Sequence, residues 1–309
     1  MLFGGCITLV RILRFGVAWF FIVLTTQVLA QEQLLDLELR ESVFKIDVTV
    51  SDLFGKKETK PIVITVFRPP GEGKFPLLIL NHGRSAKDKR QLQNRHRYLS
   101  QARWFVEQGF VVMVPTRVGY GESFSSFDPE FTNACRDNVR LDIKDQALLQ
   151  QIEATLEFAR TLPYVDTSKF LIAGQSLGGY ITVTMASKNL PGLVGGINFS
   201  GGFGGDPNRR KGNPCGYHVW EQTLKSSGND LNVPILWIYW KNDWYWGEDI
   251  PRRWFAAFLD GGGSGEFVQL SELASDGHFG FSRDMKRWTD AVGEFLRTIP
   301  IELKPVVLK

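Results

Sequence analysis

Polar and apolar positions change rhythm along this chain. Residues 43–50, Val-Phe-Lys-Ile-Asp-Val-Thr-Val, alternate with the period of a half-buried strand, and residues 62–67 are apolar and β-branched. Pro69, Pro70 and Gly71 close that second strand with a turn. Beyond it, uninterrupted apolar runs at 77–80, 110–114, 170–173, 194–199, 235–239 and 267–270 predict strands buried on both faces of a parallel sheet. Between the runs lie segments of helical period. Leu141, Leu148, Ile152, Leu156 and Ala159 share one face of a segment ending before Pro163. Further helices are predicted at 98–108, 177–187, 250–259 and 284–297. A β-hairpin followed by alternating strands and helices predicts an α/β architecture, with a mostly parallel central sheet and helices on both faces.

The first 30 residues do not share this rhythm. Arg11 and Arg14 precede an uncharged apolar run at 15–24, and Val28 and Ala30 supply small residues at a cleavage site. This pattern predicts a signal peptide cut after Ala30, hence a secreted or periplasmic protein with no stable membrane association after cleavage. Residues 2–10 are also apolar, so an uncleaved anchor is the alternative. Residues 31–309 contain no repeat and no long linker, and are expected to form a single domain.

Composition narrows the class. With 43% hydrophobic and 22% charged residues in 309, disordered, collagen-like and coiled-coil chains are excluded. The formal charge of +3 falls by two, to +1, if Arg11 and Arg14 leave with the signal, which leaves no electrostatic footprint for nucleic acid or anionic lipid. Cys6, Cys135 and Cys215 are too few and too far apart for a structural zinc cluster or a small disulfide scaffold. After export, Cys135 and Cys215 can form one bridge or remain unpaired and buried.

The chemistry concentrates at Gly174-Gln175-Ser176-Leu177-Gly178-Gly179, which follows a predicted strand and opens a predicted helix. A G-x-S-x-G pentapeptide in that context lifts a serine hydroxyl above the sheet on a tight turn, with the positive end of the helix aimed at the reacting centre. A serine needs a base, and the base needs an orienting acid. Of His82, His96, His218 and His278, only His278 lies beyond the last predicted strand, in a turn-rich loop. His82 reads as structural or as part of an oxyanion loop, and His96 and His218 as surface or packing residues. Asp243, just past the 235–239 strand, is the candidate acid; Glu248 and Asp249 are its rivals, and Asp276 is too close in sequence to His278. The order Ser176, Asp243, His278 is that of an α/β-hydrolase. The oxyanion donors expected are the backbone N–H groups of Leu177 and Arg84, with Gly83 or Ser85 as alternatives to the latter. The Arg84 side chain is read as solvated.

Together with Asn81-His82-Gly83, the run from Arg117 to Ser123, Asn242-Asp243 and Asp276-Gly277-His278, the chain resembles the α/β-hydrolase superfamily over about residues 43–298. Within it, the resemblance is to the dienelactone hydrolase and prolyl-oligopeptidase-like branch. It implies an α/β-hydrolase fold, with Ser176 as nucleophile, His278 as general base and acid, and Asp243 orienting the imidazole. Dienelactone hydrolases proper carry cysteine at the nucleophile position; serine here makes hydrolysis of an ordinary small-molecule ester the expected reaction, with no metal or organic cofactor required. Two readings compete: a serine peptidase or amidase, and a catalytically inactive hydrolase fold that binds. The resemblance further implies pocket-lining insertions at 124–138 and 200–216, which a Cys135–Cys215 bridge would tie together. Tyr120, Trp244 and Trp246 are candidate pocket residues, whereas Trp237 and Tyr239 are expected in the core. The basic run 209–211 is either a solvated loop or a rim for an anionic substrate.

Overall fold

The alternating segment becomes β1 (Ser42–Ser51), paired antiparallel with β2 (Lys57–Phe67) from Ser42 opposite Val66 to Ser51 opposite Lys57. The computed structural model describes residues 35–136, 139–226 and 233–308. The expected signal, residues 1–30, lies outside them. From Leu35 onward the chain holds together as one unit, and none of its described helices is long and apolar enough to cross a membrane.

Each uninterrupted apolar run forms a strand: β3 (Phe75–Asn81), β4 (Val111–Thr116), β5 (Val165–Gln175), β6 (Leu193–Phe199), β7 (Ile235–Trp240) and β8 (Gly265–Leu270). The sheet order is β1-β2-β4-β3-β5-β6-β7-β8, antiparallel at β1–β2 and β2–β4 and parallel from β4 to β8. Side chains alternate across the sheet, which is why the runs are apolar at every position. Leu77, Ile79, Trp237 and Tyr239 pack on one side against α3 (Leu141–Thr161), α4 (Leu177–Ala186), α5 (Tyr217–Lys225) and α6 (Asp249–Asp260). Leu78, Leu80, Ile238 and Trp240 pack on the other against α2 (Leu99–Glu107) and α8 (Met285–Thr298). Both faces are covered, as the pattern predicts.

Differences from the expectation lie at edges and loops. β8 is half exposed because only β7 flanks it, so the two-sided burial expected of residues 267–270 does not extend to this outermost strand. Two short helices, α1 (Lys87–Leu92) and α5, are not among those predicted; α1, at six residues, carries too few turns to display a period. A single turn of helix, α7 (Gly280–Arg283), precedes α8.

Candidate active site

Ser176 makes the whole turn between β5 and α4. Its φ of 57° and ψ of −120° place a side-chain-bearing residue in a region that costs about 1–3 kcal/mol and persists only where the surroundings enforce it. They do so through close packing. A Cβ on Gly178 would stand 2.1 Å from the Asn81 carbonyl oxygen, so β3 and α4 approach closely only with glycine there. The Ser176 N–H donates to the Phe199 carbonyl at 3.0 Å, and its carbonyl accepts from Tyr180 and Gly202 N–H groups at 3.0 and 3.2 Å.

Asp243 occupies the turn beyond β7. Its Oδ1 accepts the N–H groups of Tyr245 and Trp246 at 2.8 and 3.1 Å, which fixes the carboxylate, and His278 Nδ1 lies 3.0 Å from Oδ2 and 3.2 Å from Oδ1. Both side chains are buried. A carboxylate only accepts, so the Nδ1 proton points to Asp243 and Nε2 is left as the basic nitrogen. His278 rides on a 3₁₀ turn, Gly277–Phe279, that Asp276 builds: Asp276 Oδ1 accepts from His278 N–H at 3.0 Å and from Trp244 N–H at 2.9 Å. The Tyr245 ring stacks on the imidazole at 3.9 Å, with the Trp246 ring edge-on at 5.4 Å. Gln175 Nε2 donates to the His278 carbonyl at 3.0 Å and ties this turn to the residue preceding Ser176. The Ser176 hydroxyl has no hydrogen-bond partner among the described residues. Serine–imidazole contacts commonly tighten only when a substrate is bound.

The loop after β3 faces the start of α4. Leu177 is the first residue of α4, so its N–H has no carbonyl within the helix to bond. In the loop, the Gly83 N–H donates to the Tyr98 hydroxyl at 3.4 Å and the Ser85 N–H to the Tyr120 hydroxyl at 3.0 Å. Between them, the Arg84 N–H has no partner among the described residues. The Arg84 side chain keeps solvent contact as expected but is also paired: it donates to Asp128 at 2.6 and 3.1 Å and to Glu130 at 2.9 Å. Burial opposes its charge, but the Glu130 and Asp128 carboxylates outweigh that and raise its pKa. Glu130 also accepts from Arg117 Nε at 2.5 Å, so both its oxygens are engaged.

Behind this loop, His82 and His96 stack at 3.7 Å with planes 7° apart, and the Tyr120 ring stands edge-on to both. Burial, then the neighbouring Arg117, holds each imidazole neutral: His82 is driven well below the ordinary value, and His96 down to about 3. His218 is exposed on α5.

Ser176, Leu177, Arg84, Tyr245 and Trp246 line a cavity of about 470 Å³. Residues 130–135, 202–208 and Arg210 also line it, and a disulfide joins Cys135 to Cys215. Two pocket expectations fail. Tyr120 is buried behind the loop, where its hydroxyl also donates to the Gly83 carbonyl at 3.3 Å; it supports the cavity without lining it. Trp244 turns outward because its N–H is held by Asp276, and Lys211 Nζ covers its ring at 3.8 Å. The alternation that places side chains in a strand stops at Trp240, so only the Asp243 turn decides which of Trp244, Tyr245 and Trp246 faces inward.

Lys144 is a cavity residue that the functional reading of the sequence passed over. It follows Leu141 by three positions and precedes Leu148 by four, in phase with the apolar face of α3, and that was its available signal. Its Nζ lies 3.3 Å from the Tyr180 ring centre and 4.6 Å from that of Phe203, with no hydrogen-bond partner. Burial lowers its pKa to about 7 despite the nearby Asp145 and Glu130. Among the described residues, no three His, Cys, Asp or Glu side chains are grouped to hold a metal ion.

A sequence profile of the dienelactone hydrolase family matches residues 93–249, half of the chain, including Ser176 and Asp243. The chain belongs to the dienelactone hydrolase family. Its fold is that of the α/β-hydrolases, and the family is one of hydrolases. Among solved structures, an acylaminoacyl peptidase of Pyrococcus horikoshii is similar with TM-score 0.56 and 17% identity over 86% of this chain; the match spans 43% of the peptidase's own length. An acetyl xylan esterase from a Paenibacillus species gives TM-score 0.52 and 14% identity over 84% of this chain and 89% of the esterase. An esterase of Pyrococcus furiosus gives 0.53 and 12%, over 83% and 90%. At these identities the likeness is one of fold. No curated protein sequence matches the chain.

Proposed function

We propose that this family member is a serine hydrolase that cleaves carboxylic esters through an acyl-enzyme on Ser176. The observation that carries the reading is the strained turn that raises Ser176 at the cavity wall, with the Asp243–His278 pair tied to the preceding residue. His278 Nε2 takes the hydroxyl proton as Ser176 Oγ attacks the ester carbonyl carbon. The resulting oxyanion is held by the Leu177 and Arg84 N–H groups, donors that need no rearrangement as charge develops. The tetrahedral intermediate collapses as its C–O bond breaks and His278 passes the proton to the departing alcohol. Water then adds to the acyl carbon, giving a proton to His278; as the bond from that carbon to Ser176 Oγ breaks, His278 returns the proton to Oγ and the carboxylic acid leaves. Asp243 keeps the imidazole in the required tautomer and stabilises its cation.

The serine, where dienelactone hydrolases proper have cysteine, favours ordinary esters as substrates. The basic, then apolar, then small-residue pattern of residues 1–30 supports export of this hydrolase to a secreted or periplasmic location.

Hydrolysis of p-nitrophenyl acetate, butyrate and octanoate by purified protein, with Ser176→Ala alongside, tests the reading. The variant is expected to lose at least about a thousandfold in kcat. Equal rates in both proteins would overturn the assignment of Ser176. Turnover of anilides in place of esters would move the substrate class to amides.

A further inference from the structure

When His278 takes the Ser176 proton it becomes a cation inside the protein, on a side chain only 3% exposed. A charge cut off from water is costly unless neighbouring groups replace the hydration it has lost. Asp243 does so at one edge of the ring, through Nδ1. The ring faces have no carboxylate on them. Tyr245 covers one of these faces, with ring centres 3.9 Å apart and planes inclined by only 23°. The rings of Trp246 and Phe279 stand steeply to the imidazole, their centres 5.4 and 5.7 Å away. The charged groups around this enclosure come from separate elements. Asp243 follows β7, and Asp276 accepts the His278 N–H. Arg283 of α7 lies over the Phe279 ring at 4.8 Å, and Asp206, in the segment 202–208, is close enough to act on the Tyr245 hydroxyl.

The stack is held from two sides. The Tyr245 N–H donates to Asp243 Oδ1 at 2.8 Å, so the carboxylate that orients the imidazole also anchors the ring lying on it. A Cβ on Gly205 would stand 2.9 Å from Tyr245 Cδ1 and 2.7 Å from Trp246 Cζ3, so both rings occupy their places because that residue carries no side chain. Burial, and after it the Asp276, Asp243 and Asp206 carboxylates, raise the Tyr245 pKa, so the ring beside His278 is a neutral phenol. The face of such a ring is electron-rich and attracts a cation within about 6 Å of its centre, more strongly where water is excluded. It attracts a neutral imidazole far less. The contact therefore strengthens as the proton arrives, and an interaction stronger in the transition state than in the ground state accelerates the reaction.

Resting on the serine-hydrolase reading above, we propose that Tyr245 is a further catalytic residue, whose ring face stabilises the His278 imidazolium while the proton passes from Ser176 to the departing alcohol. Asp243 neutralises this cation at its edge and Tyr245 at its face. The aromatic face, not the hydroxyl, does this work.

The test drains the ring face of electrons while nearly keeping its shape. Tyr245→Phe is the reference, and the phenylalanine is then replaced by its 4-fluoro, 3,5-difluoro and 3,4,5-trifluoro forms. On p-nitrophenyl butyrate, log kcat should fall steadily with fluorine number, by about threefold or more in kcat over the series, with KM nearly constant. Tyr245→Leu, which removes the face altogether, should lose at least as much as the trifluoro form. Should that variant fail to fold, the fluorine series decides the matter. A kcat that ignores fluorine number overturns the proposal, and so does a series in which KM alone moves, since the ring would then act on substrate binding. A second readout needs no turnover. The His278 imidazole proton resonances, identified by their loss in His278→Gln, are followed against pH by NMR in the absence of substrate. Their midpoint should move to lower pH with each fluorine, by about half a pH unit in all, and a fixed midpoint overturns the proposal. Ester hydrolysis that survives Ser176→Ala would refute the serine reading and leave the NMR series to judge the Tyr245 contact, so the two failures are distinguishable.

Discussion

Two sets of histidines are buried near the strand ends, and their partners differ. His278 faces a carboxylate: Asp243, fixed by two backbone N–H groups, lies 3.0 Å from Nδ1. His82 faces another histidine at 3.7 Å and the Arg117 backbone N–H at 3.1 Å, with the Arg117 guanidinium close enough to disfavour a charge. An imidazole beside a carboxylate can take a proton during a reaction, because the cation it becomes is paired. An imidazole beside a guanidinium and a second ring cannot, and its flat surface serves as packing. The same residue type, equally buried, thus sits beside an anion in one setting and forms a supporting wall in the other.

Breaking the first setting should have the largest effect. Asp243→Asn keeps the shape but offers the imidazole a donor or a neutral acceptor, favouring the wrong tautomer, and should lower kcat by about 10⁴-fold. Steady-state kinetics on p-nitrophenyl butyrate measures it. A loss under tenfold would mean that Asp243 does not orient the base.

The second setting should appear in acid stability. His96 is held neutral in the folded chain down to about 3, whereas in the unfolded chain it protonates near 6.5. A lowered folded pKa means that the unfolded state binds protons first as pH falls. The His96 contribution is therefore intact above pH 6.5 and lost progressively from 6.5 towards 3. By pH 4.5 the loss is about 2–3 kcal/mol. His96→Phe preserves a flat ring and removes the titration, so its melting temperature should fall less steeply than that of wild type between pH 6.5 and 4.5. Parallel curves would contradict the buried-neutral assignment.

The contact between the histidine pair and the loop after β3 should give the smallest effect. Tyr120→Phe keeps the ring against His82 and His96 but releases the Ser85 N–H and the Gly83 carbonyl. Loosening the loop that presents the Arg84 N–H should cost about tenfold in kcat with KM nearly constant, a fraction of what removing an oxyanion donor outright costs. A change confined to KM would place Tyr120 in substrate binding.

Much of this molecule was legible before any coordinate. The apolar runs located six parallel-type strands because a sheet covered on both faces requires apolar residues on both. The glycine spacing around Ser176 located the turn because no other residue fits where β3 meets α4. Chain order singled out Asp243 and His278, and the structure brings their side chains into contact. Loops carry no such periodicity. Whether Tyr120 lines the cavity or props its loop, and whether Trp244 or Tyr245 faces His278, depends on hydrogen bonds to residues about 30 or more positions away.

The sequence by itself determined the succession of the strands and of most helices, the strand-to-helix turn at Ser176 and the residue types of the site, because period and backbone sterics are local. Tertiary structure alone decided that Arg84 is paired with Asp128 and Glu130, that the histidines fall into two unlike environments, and that Lys144 is left without a hydrogen-bond acceptor in the cavity that Ser176 lines. Charge and desolvation act through space, and only folding sets which groups lie near enough to neutralise one another.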